Sequence, residues 1–205
     1  MSDVFLSRKK FWDNRWTDNE YNHNCPINDN LLAYIKYVND VEGTVFSHGC
    51  GNGRIESKLK NHVVLNDISK YATGIKNKKN NQSVFVSDVT TKIDFTFDHL
   101  ISHRVLHGCP QYKLIVKNLL RSLKHTGFIS ARSIKCPENN KNRNPIYLSY
   151  TDKFIKFFEE GELEYLISSQ GFDIMNTGSF DELSGRVKKR NVYDYVYFKR
   201  KVDNE

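Results

Sequence analysis

Apolar residues in this chain follow two rhythms. Short β-branched and aromatic runs at 45–46, 63–68, 83–86 and 128–131 have the length and composition of buried strands. Between them, apolar positions recur at helical spacing over 31–38 and 114–123, and through Ala72 and Ile75 behind a candidate N-cap at Ser69. Gly127 reads as the end of the 114–123 helix, turning into 128–131. Thr151 or Asp152 is a candidate cap for a helix holding Phe154, Phe157 and Phe158, and a further helical turn through Leu163, Leu166 and Ile167 ends near Gly171. Residues 172–175 and 192–198 read as two strands in a hairpin-like partnership. Residues 1–28 look mostly irregular around a short aromatic helix at 11–16, and 19–30 and 136–148 read as loops, the latter the longest. Alternating strands and helices predict a mostly parallel sheet. The 205 residues are expected to form a single α/β domain, 1–205, with 1–28 as an aromatic segment or lid.

The sharpest local signal is the segment 45–53, Val-Phe-Ser-His-Gly-Cys-Gly-Asn-Gly. A short apolar strand runs directly into glycines at 49, 51 and 53, and a helix-like run at 54–60 follows. Such a corner lets backbone approach a nucleotide. A dinucleotide fingerprint wants a third glycine one residue later. Arg54 stands there, so a pyrophosphate cofactor is disfavoured. Asp67 closes the next apolar run and is placed to accept both hydroxyls of a ribose. Asp88 closes the one after that, where a carboxylate can accept from an adenine amino group. Glycine turn, ribose acid and adenine acid thus appear in order, each at the carboxyl end of a successive strand.

On these residues the chain resembles the class I S-adenosylmethionine-dependent methyltransferases, over roughly residues 11–200. Residues 97–102 look like that family's fourth strand, 103–110 like its active-site loop, and 119–129 like its later helix, turn and fifth strand. Phe157-Phe158, Glu162-Leu163 and Gly171-Phe172, with the opening aromatic segment at 11–16, are similar to the small single-domain members, the thiopurine and tellurite-resistance types. The resemblance implies a Rossmann-like, doubly wound, mostly parallel seven-stranded sheet with an antiparallel last strand. It also implies S-adenosylmethionine as cofactor. The residues expected around it are Trp12, Arg15, Trp16, Ser47, His48, Gly49, Cys50, Gly51, Gly53, Asp67, Ile68, Asp88, Val89 and His103. One position departs from the family. Where an acid usually helps to hold the methionine amino group, this chain has Ser47, so Ser47→Asp is expected to add a charge-assisted contact.

Bulk properties narrow the setting. Hydrophobic content of 39% with 13% aromatic is ordinary for a globular protein. Cys25, Cys50, Cys109 and Cys136 form no Cys-x-x-Cys pair, which argues against a disulfide framework or zinc knuckle. No apolar run reaches the length of a membrane span, and the first residues do not make a secretory signal. The expected location is cytoplasmic. A net charge of +7 admits RNA as a partner, yet the basic residues are scattered in small knots, as on an ordinary solvated surface.

Methyl transfer from a sulfonium is mainly a positioning problem, worth roughly 7–11 kcal/mol in the best-oriented systems. A base helps where the nucleophile must lose a proton. His107, beyond the fourth strand, is the candidate base; the alternative is a histidine bonded to backbone. His103 and Arg104 are candidates for contact with cofactor or an anionic substrate, or for merely closing the turn. Cys109 reads as a small buried residue. Trp12, Arg15 and Trp16 offer aromatic faces that attract a sulfonium or, alternatively, staple the N-terminus to the core. His99, His103 and His107 fall four apart but span a strand and a turn, so no metal is expected. Three functions compete: methylation of a small molecule, methylation of RNA, and a methyltransferase-like domain that binds without chemistry. The chain has little length for a separate recognition domain, which favours the first, and it lacks an Asn-Pro-Pro-Tyr type signature after the fourth strand, which counts against the second.

Overall fold

The computed structural model describes residues 3–17, 27–136, 146–148, 153–184 and 189–202. Its frame is a seven-stranded sheet. Strands β1 (Thr44–His48), β2 (His62–Asp67), β3 (Gln82–Val86), β4 (Phe97–His103) and β5 (Leu123–Arg132) are parallel. After β6 (Ile146–Leu148) and β7 (Lys153–Ile155), a two-stranded ribbon apart from the sheet, the chain forms β8 (Phe172–Ser184) and β9 (Lys189–Arg200). The order is β3-β2-β1-β4-β5-β9-β8, with β9 antiparallel to both neighbours. This is the doubly wound sheet with an antiparallel last strand that the resemblance implies. Strand order reverses beside β1, and the crevice at that switch point is where such sheets bind ligands.

Five α-helices are assigned among the described residues: α1 (Asp3–Thr17), α2 (Asp29–Asn39), α3 (Thr73–Lys76), α4 (Tyr112–Ser122) and α5 (Glu162–Ser168). The sheet is buried on both faces, and successive residues serve opposite sides. Val45, Val63, Leu65, Ile101 and Phe128 pack with Leu31, Tyr34, Ile35 and Val38 of α2. Their neighbours Phe46, Val64, Leu100 and Ile129 pack with Ile115, Val116 and Leu119 of α4 and Leu163 and Ile167 of α5. Double burial explains why these strands read as continuous apolar runs.

Several expected elements differ. The run 54–60 is only a 3-10 turn at Glu56–Lys58. Its apolar positions, Ile55 and Leu59, are too few to bury a longer helix face. α3 is likewise one turn, Thr73–Lys76, and Ser69 does not cap it: its hydroxyl accepts from Tyr71 N at 3.2 Å, closing a turn four residues before the helix. Gly127 does not end a helix: α4 passes directly into β5, and Gly127 lies inside that strand. A Cβ there would sit 2.3 Å from the Phe198 ring, so the glycine makes room for an aromatic across the β5–β9 pair. Phe154 lies in the short strand β7 and Phe158 bridges to Ser133, so aromatic residues favouring extended backbone override the expected helix. The N-terminus is α-helical through Asp3–Thr17 rather than mostly irregular. Residues 137–145 of the expected long loop, and 18–26 of the Asn-rich one, lie outside the described residues.

Candidate functional site

A cavity of about 420 Å³ opens at the carboxyl ends of β1, β2, β4 and β5. Its floor is the glycine turn. Gly49 has φ +69°, and a Cβ there would lie 2.4 Å from Val105, so a side chain is excluded by both backbone and space. Cys50 N donates to Asn66 O at 2.7 Å, pinning the turn to β2. Gly53, φ +74°, meets Gly74 at 2.8 Å from its would-be Cβ. That glycine serves packing against α3 and is absent from the cavity wall.

Asp67 ends β2 and is 7% exposed. One carboxylate oxygen accepts from Gly51 N at 3.1 Å and the other from Ser69 N at 3.0 Å. Burial outweighs these donors and pushes its pKa up to about 6. A buried carboxylate so placed gains from further donors. Asp88, also buried, accepts from Thr90 N and its hydroxyl. Ile68, Ser87 and Asp88 line the cavity beside Asp67. Val89 does not; it is fully buried at φ +60°, a strained setting for a β-branched residue, and its N–H donates to the Ser87 hydroxyl at 3.0 Å.

Helix α1 lies over the opening. Arg8, Phe11, Trp12, Arg15 and Trp16 all face the cavity, and Trp16 is buried, with its ring 3.5 Å from where a Cβ of Gly51 would stand. The Ser69 hydroxyl donates to Asp13 at 2.5 Å, fastening α1 to the loop after β2. Trp12, Arg15 and Trp16 therefore do meet the glycine turn in one site.

The opposite wall follows β4 and β5. His48 and His103 reach the cavity from the ends of β1 and β4. His48 Nδ1 lies 2.9 Å from the Ser102 hydroxyl, and burial, aided by Arg8, holds its pKa at about 3. His103 stacks on Phe180, bonds Ser130 at 2.8 Å through Nδ1, and is likewise held at about 3 by burial and then Arg104. Both are neutral near pH 7. His107 lines the cavity in the 3-10 turn Leu106–Gly108, its ring edge-on to Tyr193 at 5.8 Å. Cys109 is buried, receives Arg8 Nη2 at 3.2 Å, and has its pKa raised by burial. Among the described residues no three His, Cys, Asp or Glu could hold a metal ion; His99 instead bonds Thr126 and Glu42 O.

Ser47 is 2% exposed, outside the cavity wall, and its hydroxyl donates to the Glu56 carboxylate. Glu56, also 2% exposed, is pushed up to about 7 by burial. The acid of this region thus stands in the turn after the glycines, against Ser47, rather than on β1. Arg8, Arg132, Phe154, Ile155 and Tyr193 line the cavity without having been singled out from sequence. Arg132 closes β5, and its place at a strand's carboxyl end was the one available signal. The others carry no local motif.

Residues 46–131 match the model of the methyltransferase domain family. No relative was found among curated proteins. Similar solved structures include an S-adenosylmethionine-dependent methyltransferase from Anabaena variabilis, 13% identical, covering 98% of this chain and 96% of that one with a TM-score of 0.72. Magnesium protoporphyrin IX methyltransferase from Synechocystis, with bound S-adenosylhomocysteine, is 14% identical over 97% of this chain and 100% of its own, TM-score 0.67. TehB from Haemophilus influenzae is 16% identical over 92% and 67%, TM-score 0.65. The match to the methyltransferase domain model covers 46–131, and the sheet around those residues has the fold of the class I S-adenosylmethionine-dependent methyltransferases.

Proposed function

We propose that this protein transfers the methyl group of S-adenosylmethionine to a small molecule held between the β4–β5 wall and α1. The observation that carries the reading is the single cavity in which the glycine turn, Asp67 and Asp88 face Arg104, His107, Arg132 and Tyr193. The first set fits the cofactor: positive-φ glycines admit the methionine end, Asp67 accepts from ribose hydroxyls, Asp88 from an adenine amino group, and Ile68 offers apolar surface. Bound there, the cofactor supplies a sulfonium-activated methyl group. This chain's residues align the acceptor, and α1 excludes water, with Trp12 and Trp16 presenting aromatic faces to a cation. His107 is the proposed base for an acceptor that must lose a proton.

A cavity of this volume is of the size that holds small ligands, and a helix across its mouth obstructs a polymer. The test is labelled cofactor supplied with pools of thiols, heterocycles and RNA. Label in the small-molecule pools is expected. Label only in RNA would overturn the acceptor class, and none in any pool would favour a binding protein.

A further inference from the structure

We infer that the methyl acceptor is recognised through lone pairs, those of a carbonyl oxygen or an aromatic ring nitrogen, by two uncharged donors: the Tyr193 hydroxyl and Nε2–H of His103. The inference rests on the methyl-transfer reading above and extends it to substrate chemistry. Tyr193 lies on β9 and lines the cavity, although only 1% of it is exposed. Its ring is fixed from several sides. Phe180 stacks on it at 5.4 Å between centroids, Arg104 Cζ stands 4.9 Å from its centroid, and the His107 ring meets it edge-on at 5.8 Å. Yet among the described residues its hydroxyl has no hydrogen-bond partner. Other packed tyrosines differ: the Tyr34 hydroxyl bonds Thr126, and that of Tyr112 donates to Glu162 at 2.8 Å. A buried tyrosine usually finds a partner for its O–H. Here the phenol is held rigidly at a cavity with its polar atom unused by the protein, and its proton is left for a ligand.

His103 ends β4 and lines the same cavity. It too stacks on Phe180, at 5.9 Å with 20° between planes, so one ring supports both residues. Its tautomer follows from its neighbour. Ser130 is fully buried; its Oγ lies 2.8 Å from His103 Nδ1 and accepts from Arg104 N at 3.2 Å. A buried hydroxyl needs an acceptor for its proton. Arg104 N is itself a donor, so Ser130 donates to Nδ1. A neutral imidazole carries one N–H, which then stands on Nε2. Burial, with Arg104 alongside, keeps the ring neutral at pH 7. Among the described residues Nε2 has no partner. The bond at one ring nitrogen fixes the role of the other, and His103 is a donor that cannot serve as a base. Neither donor is charged, so this wall selects hydrogen-bonding pattern over charge. Val105 and Ile155, lining the same cavity, offer apolar surface to the rest of the molecule.

The test is an NMR titration of the full chain saturated with S-adenosylhomocysteine, using two pairs of probes of matched shape: quinoline against naphthalene, and acetophenone against α-methylstyrene. In each pair only the first member has the lone pair. That member is expected to bind more tightly in at least one pair, which identifies the group, by about 3–10-fold for each neutral hydrogen bond. Tyr193→Phe keeps the ring on Phe180 and removes the hydroxyl. His103→Phe is made together with Ser130→Ala, so that no buried hydroxyl is left without an acceptor. Each variant should cut the preference by about 3–10-fold and leave the apolar probe's affinity unchanged, whereas a merely structural role would weaken both members of a pair alike. Nitrogen NMR of wild type should find the His103 proton on Nε2 at pH 7. Unchanged affinity for S-adenosylhomocysteine certifies that each variant is folded. No preference in either pair, no binding of any probe, a preference unchanged in either variant, or the His103 proton on Nδ1 would overturn the inference while leaving cofactor binding intact. Failure of wild type to bind S-adenosylhomocysteine would instead remove the reading beneath it.

Discussion

Glu56 gives the most direct physical test of the site's construction. It is buried under the glycine turn with the Ser47 hydroxyl donating to it, and burial raises its pKa from 4.5 to about 7. An acid whose folded pKa is raised binds its proton more tightly in the fold than in the unfolded chain. Stability is therefore full below pH 4.5, falls as pH rises, and is fully reduced above about 7. At 1.36 kcal/mol per pKa unit, the loss is about 1 kcal/mol at pH 5 and about 3 kcal/mol at pH 8. Glu56→Gln removes the charge and keeps an oxygen for Ser47. It should be close to neutral at pH 5 and stabilising by about 2 kcal/mol at pH 8, or roughly 4–8 °C in Tm for a chain of this size. The measurement is denaturant unfolding of ligand-free wild type and variant at both pH values. Asp67 drifts in the same direction with pH, and its charge is one of the causes that raise Glu56, so the difference between the two proteins includes relief of that repulsion. A variant less stable than wild type at pH 8 would refute the argument, because it would mean that the ionised carboxylate is fully compensated.

The other predictions concern the cavity. Asp67→Ala should weaken S-adenosylhomocysteine by roughly 100-fold, since it strands two ribose hydroxyls and releases Gly51 N and Ser69 N; calorimetry showing equal affinity would sink the ribose assignment. Gly49→Ala should destabilise the turn through its φ of +69° and the 2.4 Å approach to Val105, and Val105→Ala should restore only the steric part in unfolding measurements. Ser47→Asp should lower stability at pH 8, where a second carboxylate would face Glu56, and Glu56→Gln in the same chain should recover it.

Much of the fold was legible because strands buried on both faces must be written as unbroken apolar runs, as at 63–68. The glycine turn, Asp67 and Asp88 were legible for a related reason. Each closes such a run, and carboxyl ends of parallel strands face the ligand crevice. What was hidden depended on register or on partners distant in sequence. Gly127 looked like a helix end because nothing local announces the Phe198 ring across the β5–β9 pair. Tyr193 and Arg132 meet only through the antiparallel pairing of β5 with β9. Phe154, Phe157 and Phe158 lack the strict alternation that marks a strand, a candidate cap at Thr151 or Asp152 pointed to a helix instead, and packing decided. Trp12 and Trp16 were noticed for their chemistry, while the helix carrying them was taken as shorter than it is.

Ser47 shows how a motif can depart at one position and be answered at another. Read alone, a serine where the family usually has an acid looks like a charge removed, and restoring the acid looks like repair. In the fold the serine hydroxyl faces Glu56, nine residues on. The carboxylate has been delivered from the turn instead of the strand, and it is deeper than Asp67, outside the cavity wall. Two acids at this spot would repel in a medium of low dielectric, so serine is the residue that a buried glutamate there requires. Its hydroxyl donates without charge and partly offsets the burial of the acid.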